Sequence, residues 1–204
     1  MINDTEWNGL SEDVKGDIYE SLLERIAQDT KSGAGQYFTP RALIKTIVKC
    51  VNPELNKKIV DPCCGSGGFL LAAKDFLQNK YPTMTGQQTE NLKQNTFYGT
   101  EIVPNTYRLC LMNLLLHGIG EFGGTPPIKC ADSLASAPGD NDLCEYVMTN
   151  PPFGKKSSTT IEVREEDKET GEIVTKIKKA QDNYVRTDFI TTTSNKQLNF
   201  VQHI

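Results

Sequence analysis

From residue 57 onward the chain alternates short apolar segments of strand character with helical runs of ten residues or more, and that rhythm admits few folds. Lys58-Ile59-Val60-Asp61 reads as a strand running into glycines, Phe69 to Gln78 as an apolar helix, and Thr96 to Ile102 as a second strand. Tyr107 to His117 follows as a helix, with Leu109, Met112, Leu115 and Leu116 at helical spacing. Ile128 to Ala131 and Tyr146 to Thr149 supply a third and a fourth strand. Parallel neighbours need crossovers long enough to hold a helix, so the alternation predicts βαβ units. The expected fold class is α/β, a mostly parallel sheet with flanking helices.

The flanks carry different patterns. Val14, Ile18, Leu22 and Ile26 recur every four residues between Ser11 and the glycines at 33 and 35, which predicts a helix over 11–27. Thr39-Pro40 reads as an N-cap and first helical residue, with Leu43, Ile44, Ile47, Val48 and Val51 carrying a helix to Pro53. Residues 154–193 are polar and of mixed charge. Ile161 and Val163 precede Glu169-Thr170-Gly171-Glu172, and Ile173 and Ile177 follow it, so we expect a mobile surface insertion containing a β-hairpin. Ser194 to Gln197 forms a capping-box pattern before a helix over Leu198 to Ile204. No strand follows that helix, so the expected sheet is incomplete and the chain a fragment.

At 204 residues the chain suffices for one sizeable core. Twenty-two basic residues against 26 acidic ones give −4, which excludes a grip on nucleic acid by bulk charge alone. Such a partner would need a local patch or another subunit. The amino terminus is polar and no apolar run approaches the length of about 18 residues that spans a bilayer, so no membrane role is expected. The six cysteines form no C-x-x-C pair, and the two histidines, His117 and His203, lie far apart. We expect a reduced, cytoplasmic protein without a metal site.

The sharpest chemical signal is Asp61-Pro62-Cys63-Cys64-Gly65-Ser66-Gly67-Gly68-Phe69, a strand entering three glycines before a helix. It stands at the carboxyl end of a strand, where open α/β sheets bind ligands. Leu70 occupies the place of the last glycine in a dinucleotide fingerprint, and no Gly-Lys-Ser/Thr follows for a phosphate loop. An uncharged loop behind a carboxylate suits an ammonium-bearing ligand better than a phosphate; the same residues also suit a plain strand-to-helix turn. Glu101 ends the second strand and Asp132 the third. A carboxylate at the first position can accept ribose hydroxyls and one at the second an exocyclic amine, so with the glycine loop they outline a pocket for an adenosine-containing ligand. Either acid alone is more simply an exposed strand end. The fourth strand runs into Asn150-Pro151-Pro152-Phe153. The prolines remove backbone donors and leave carbonyls free, Asn150 adds a side-chain acceptor, and Phe153 offers a flat face for a base; a rigid strand exit is the plainer account.

These residues resemble a known family. Asn150-Pro151-Pro152-Phe153 is similar to the catalytic motif of adenine-specific DNA methyltransferases, and Asp61 to Phe69 to their S-adenosylmethionine loop. Gly35-Gln36-Tyr37-Phe38-Thr39-Pro40 resembles the segment that closes over the cofactor. The order of these motifs and the closing 193–200 most resemble the modification (M) subunit of type I restriction–modification systems. Cys63-Cys64 stands where small residues such as alanine are more usual.

The resemblance implies a Rossmann-like S-adenosylmethionine-dependent methyltransferase fold. Residues 1–34 would be the remnant of a helical domain, and 35–204 a partial catalytic domain with its insertion at about 154–193. It implies that Asn150, Pro151, Pro152 and Phe153 hold an adenine rotated out of the duplex. Gln36, Tyr37, Phe38 and Thr39 would cover the cofactor (Thr39 also serving as helix cap). Asp61, Cys63, Gly65, Ser66 and Gly67 would hold its methionine part, Glu101 its ribose and Asp132 its adenine. Implied partners are double-stranded DNA, a specificity (S) subunit, a second modification subunit and a restriction subunit. The alternatives are an amino methyltransferase acting on protein glutamine or RNA, and a non-catalytic assembly module that keeps the fold.

Overall fold

The computed structural model describes residues 18, 21, 39–139, 142–152, 158–166, 173–181, 184 and 186–204. They fall into two compact units, one built from residues 1–133 and 140–150, the other from 134–139 and 151–204.

The first unit holds the sheet. Helix α1 (Arg41–Val51) buries Ile44 and Val48 and ends where Asn52 turns left-handed at φ 51° ahead of Pro53. Its start corrects the expected cap. Pro40, at φ −55° and ψ 131°, is the N-cap, and its carbonyl accepts the Leu43 and Ile44 amides, so the Thr39 side chain does not cap the helix. Strand β1 (Ile59–Asp61) leads to α2 (Gly68–Lys80), β2 (Phe97–Glu101) to α4 (Pro104–Leu116), and β3 (Ile128–Cys130) and β4 (Tyr146–Val147) complete the sheet. Between α2 and β2 lies α3 (Gly86–Gln94), which the apolar pattern did not foretell because only Leu92 is buried. Its signal was a reciprocal capping box: Thr85 Oγ1 accepts the Gln88 amide and Gln88 Oε1 accepts that of Thr85.

All four strands are parallel, in the order β3-β2-β1-β4. β1 is therefore central, with Ile59 opposite Phe97 on one side and Tyr146 on the other. Ile59, Leu70, Leu77, Leu114, Ile119, Ile128 and Met148 close the core at 2% exposure or less. At Gly99 the chains pass so tightly that a Cβ would stand 2.7 Å from the Asp61 carbonyl oxygen, which only glycine tolerates. The alternation read from the sequence is thus a parallel, Rossmann-like half-sheet, consistent with the expected methyltransferase fold.

The second unit contains an antiparallel pair, β5 (Ser158–Glu166) and β6 (Ile173–Gln181), registered from Ser158 opposite Gln181 to Glu166 opposite Ile173. This is the hairpin expected around 169–172. Helix α5 (Lys196–His203) starts two residues earlier than the expected Leu198, and its cap lies one residue later than expected: Asn195, not Ser194, with its Oδ1 accepting the Gln197 and Leu198 amides. Phe200 and Asn199 are buried, and Asn199 Nδ2 donates to the Thr193 carbonyl at 3.0 Å. The expected helix over 11–27 lies outside the described residues except Ile18 and Ser21, both helical. Among the described residues no helix is long and apolar enough to cross a membrane.

Candidate active site

In a sheet ordered β3-β2-β1-β4, the chain winds outward from β1 through β2 to β3 and then returns to place β4 on the other edge of β1, so the order reverses there and a crevice opens at the carboxyl ends of β1 and β4. Asp61 ends β1 and Asn150 follows β4, and both line one cleft of about 240 Å³ together with Thr39, Cys63, Gly65 and Ser66. The cleft runs on between α1 and α2, where Arg41 and Lys45 of α1 face Ala72 and Asp75 of α2. Arg41 and Lys45 were not singled out from the sequence. Their arrival at the cleft depends on how α1 packs against α2, which local pattern does not encode.

The glycine loop is held by side chains from three directions. Gly67 sits at φ +86°, and a Cβ there would meet Leu114 Cδ2 at 3.1 Å and Cys110 Sγ at 3.2 Å. Glu101 Oε2 accepts the Gly65 amide at 3.0 Å while its Oε1 accepts that of Val103 at 2.8 Å. Asn113, in the middle of apolar α4 and 1% exposed, donates from Nδ2 to the Ser66 carbonyl at 2.9 Å. Ser133 Oγ donates to the Pro62 carbonyl at 2.6 Å. A buried asparagine amid leucines was a legible signal for such a role, since a buried amide demands a partner.

Asp61 is 1% exposed and its Oδ1 accepts the Cys63 amide at 2.9 Å. Burial pushes its carboxyl up to about 7, with a smaller push from the Glu101 charge, against the Thr149 hydroxyl and the Cys63 amide, which favour the anion. Burial likewise drives the Cys63 thiol well above its ordinary range, and Cys64 is driven up by the adjacent Cys110 thiol and by burial. Both stay neutral thiols, unsuited to act as nucleophiles.

Asn150 Nδ2 donates to Thr39 Oγ1 at 2.8 Å, across 111 residues of sequence. The other expected site residues are placed differently. Gly67, Glu101 and Asp132 stand outside the described walls of the cleft: Glu101 braces the loop, and Asp132 lies half-buried beyond the tip of β3. With neighbouring strands about 4.8 Å apart, Asp132, Glu101, Asp61 and Asn150 follow one another over about 14 Å of rim. Pro151 and Pro152 belong to the second unit. Gln36, Tyr37, Phe38 and Phe153 lie outside the described residues.

Comparison with known proteins gives these features a family. The model of the family described as N-6 DNA Methylase matches residues 10–204. The StySPI type I restriction enzyme methylase subunit of Salmonella potsdam and the EcoKI methylase subunit of Escherichia coli K12 are each 39% identical over 201 residues, 97% of this chain and 34% of theirs. The chain thus spans about a third of the length of the curated relatives it matches. The crystal structure of the EcoKI M protein aligns with a TM-score of 0.60 at 35% identity, over 82% of this chain and 31% of that one. A modification subunit of a putative type I restriction enzyme from Vibrio vulnificus YJ016 aligns at 0.61 and 32%, over 72% and 30%. With a matching family model over nearly its whole length, relatives among type I methylase subunits and a parallel half-sheet bearing the site at its switch point, this chain belongs to the N-6 DNA methylase family.

Proposed function

We propose that the chain carries the cofactor loop and catalytic asparagine of an adenine-N6 DNA methyltransferase, working as the modification subunit of a type I restriction–modification complex. One observation carries the reading: Asp61 and Asn150, from strands paired on either side of the switch point, line the same cleft. The printed names of the relatives, methylase subunits of type I restriction enzymes, support the setting.

The residues present fit S-adenosylmethionine. The cleft offers a buried carboxylate, Asp61, and cationic Arg41 and Lys45, the two signs that a zwitterionic amino-acid end requires. When bound, S-adenosylmethionine supplies an electrophilic methyl group on a sulfonium. Asp61 would take the ammonium, and the Gly65 and Ser66 backbone would flank the methionine chain. Asn150 would accept one N–H of the adenine amine through Oδ1, localising the nitrogen lone pair toward the methyl group. The proton leaves after transfer, so no strong base is needed. Holding the two reactants in line contributes up to roughly 7–11 kcal/mol. The roles of Pro151, Pro152 and Phe153 at the base, of Gln36, Tyr37 and Phe38 over the cofactor, of Glu101 at the ribose and of Asp132 at the adenine rest on the family resemblance. Partners would be double-stranded DNA, a specificity subunit, a second modification subunit and a restriction subunit, in the cytoplasm.

The test is transfer of labelled methyl groups to duplex DNA by the full-length protein in its complex, with Asn150→Ala beside it. The variant should lose at least roughly 100-fold in transfer while its cofactor affinity stays within about threefold. Label appearing in protein or RNA instead of DNA, or transfer undiminished in the variant, would overturn the reading.

A further inference from the structure

We propose that Thr39 is a positioning residue that sets which end of the Asn150 carboxamide faces the target amine. The inference rests on the adenine reading above. A carboxamide has an accepting end and a donating end, and only Oδ1 can take an N–H from the substrate. The opposite orientation presents an NH2 to an NH2 and repels it. Asn150 follows β4 at the sheet's rim, where its backbone leaves this rotation undecided.

The 2.8 Å contact decides it. Asn150 Nδ2 donates to Thr39 Oγ1, so Oδ1 is the end turned away from Thr39, and both residues line the cleft. Thr39 is free to do this because it is not the helix cap; Pro40 is. A hydroxyl that accepts here has its own proton left for another acceptor, and an anionic group in the cleft is the natural one. With that proton committed, the Thr39 oxygen can only accept, and the productive orientation of Asn150 is locked. The fixed φ of Pro40 and the first turn of α1 hold the hydroxyl in place. Thr39 thereby ties the segment before α1 to the catalytic side chain.

The variants Thr39→Val, which keeps the shape and removes the hydroxyl, and Thr39→Ser, which restores it, test this in the full-length protein within its complex. The expected result is a single-turnover transfer rate, measured at saturating S-adenosylmethionine whatever the change in cofactor Kd, that falls roughly 10- to 100-fold in Thr39→Val and recovers to within about threefold in Thr39→Ser. An unchanged rate in Thr39→Val, a raised Kd with the saturated rate intact, or no recovery in Thr39→Ser overturns the proposal. Should Thr39→Val not fold, Thr39→Ala is read by the same criteria; loss of folding in both assigns Thr39 to the fold and overturns its positioning role. A wild-type complex that methylates adenine while Thr39→Val is unimpaired sinks this inference alone. One that transfers nothing to adenine sinks the adenine reading, and this inference with it.

Discussion

Glu101 reaches from the tip of β2 to accept the Gly65 amide at 3.0 Å, so the loop after the first strand is shaped by the strand beside it. The second carboxylate oxygen is engaged by Val103. Removing the side chain in Glu101→Ala leaves two backbone amides without their acceptor, each worth about 1–3 kcal/mol where water cannot replace it. We expect loss of stability within that range and at least a tenfold weaker cofactor affinity by calorimetric titration, about 1.4 kcal/mol. Glu101→Gln, which keeps one acceptor oxygen, should fall between. Wild-type affinity in Glu101→Ala would show that the loop holds its shape unaided.

Asp61 makes stability depend on pH in a direction opposite to that of a salt-bridged aspartate. Its carboxyl titrates at about 7 in the folded chain against 3.8 ordinarily, so the unfolded chain releases the proton first. Stability therefore falls as pH rises from about 4 to about 7 and levels beyond, by about 4 kcal/mol in total. Asp61→Asn should flatten this slope and be the more stable form at pH 8 in urea melts, while losing cofactor binding. In the wild type, affinity for an ammonium-bearing cofactor should weaken as pH drops below about 7, with proton release on binding. Parallel wild-type and variant stability profiles would refute this account.

Asn113 carries one hydrogen bond outward to the Ser66 carbonyl, and its Oδ1 is buried without a partner among the described residues. Asn113→Ala removes the donor and leaves a void, an expected cost of about 2 kcal/mol in chemical denaturation. Cofactor affinity should fall with it because the loop loses a tether. A variant as stable as wild type but still weak in binding would place the effect wholly in the loop.

Gly99→Ala should be among the most damaging single-methyl changes in the first unit. The added carbon would sit 2.7 Å from Asp61 O, a backbone atom that cannot retreat without parting β1 from β2, and 3.0 Å from Cys64 Sγ. Overpacking of this kind costs about 1–3 kcal/mol, and thermal melting should register it directly.

The alternation of apolar segments was enough to read the strands, their parallel sense and the flanking helices, because burial on both faces writes itself into composition. Strand order was not readable: nothing local in Tyr146-Val147 says that it pairs with Ile59-Val60 rather than with β3. Helix α3 escaped notice because its single buried residue, Leu92, makes no stripe, and its capping box was the clue. Both misplaced caps, at Thr39 and Ser194, were one residue off, since Pro40 and Asn195 were equally able to start those helices. Asp61 and Asn150 stood out by their motifs. Thr39 as partner to Asn150, and Arg41 and Lys45 in the cleft, are products of tertiary packing across more than a hundred residues or between two helices.

The pairing of the first strand with the fourth also dictates when the site comes into being. Lys58 and Glu145, bonded at the foot of that pair, are 87 residues apart. A growing chain leaving the ribosome can wind α2 and pair β1 with β2 long before β4 is synthesised. The glycine loop therefore waits, half-walled, until translation has passed residue 150, and no shorter nascent chain has a complete cleft.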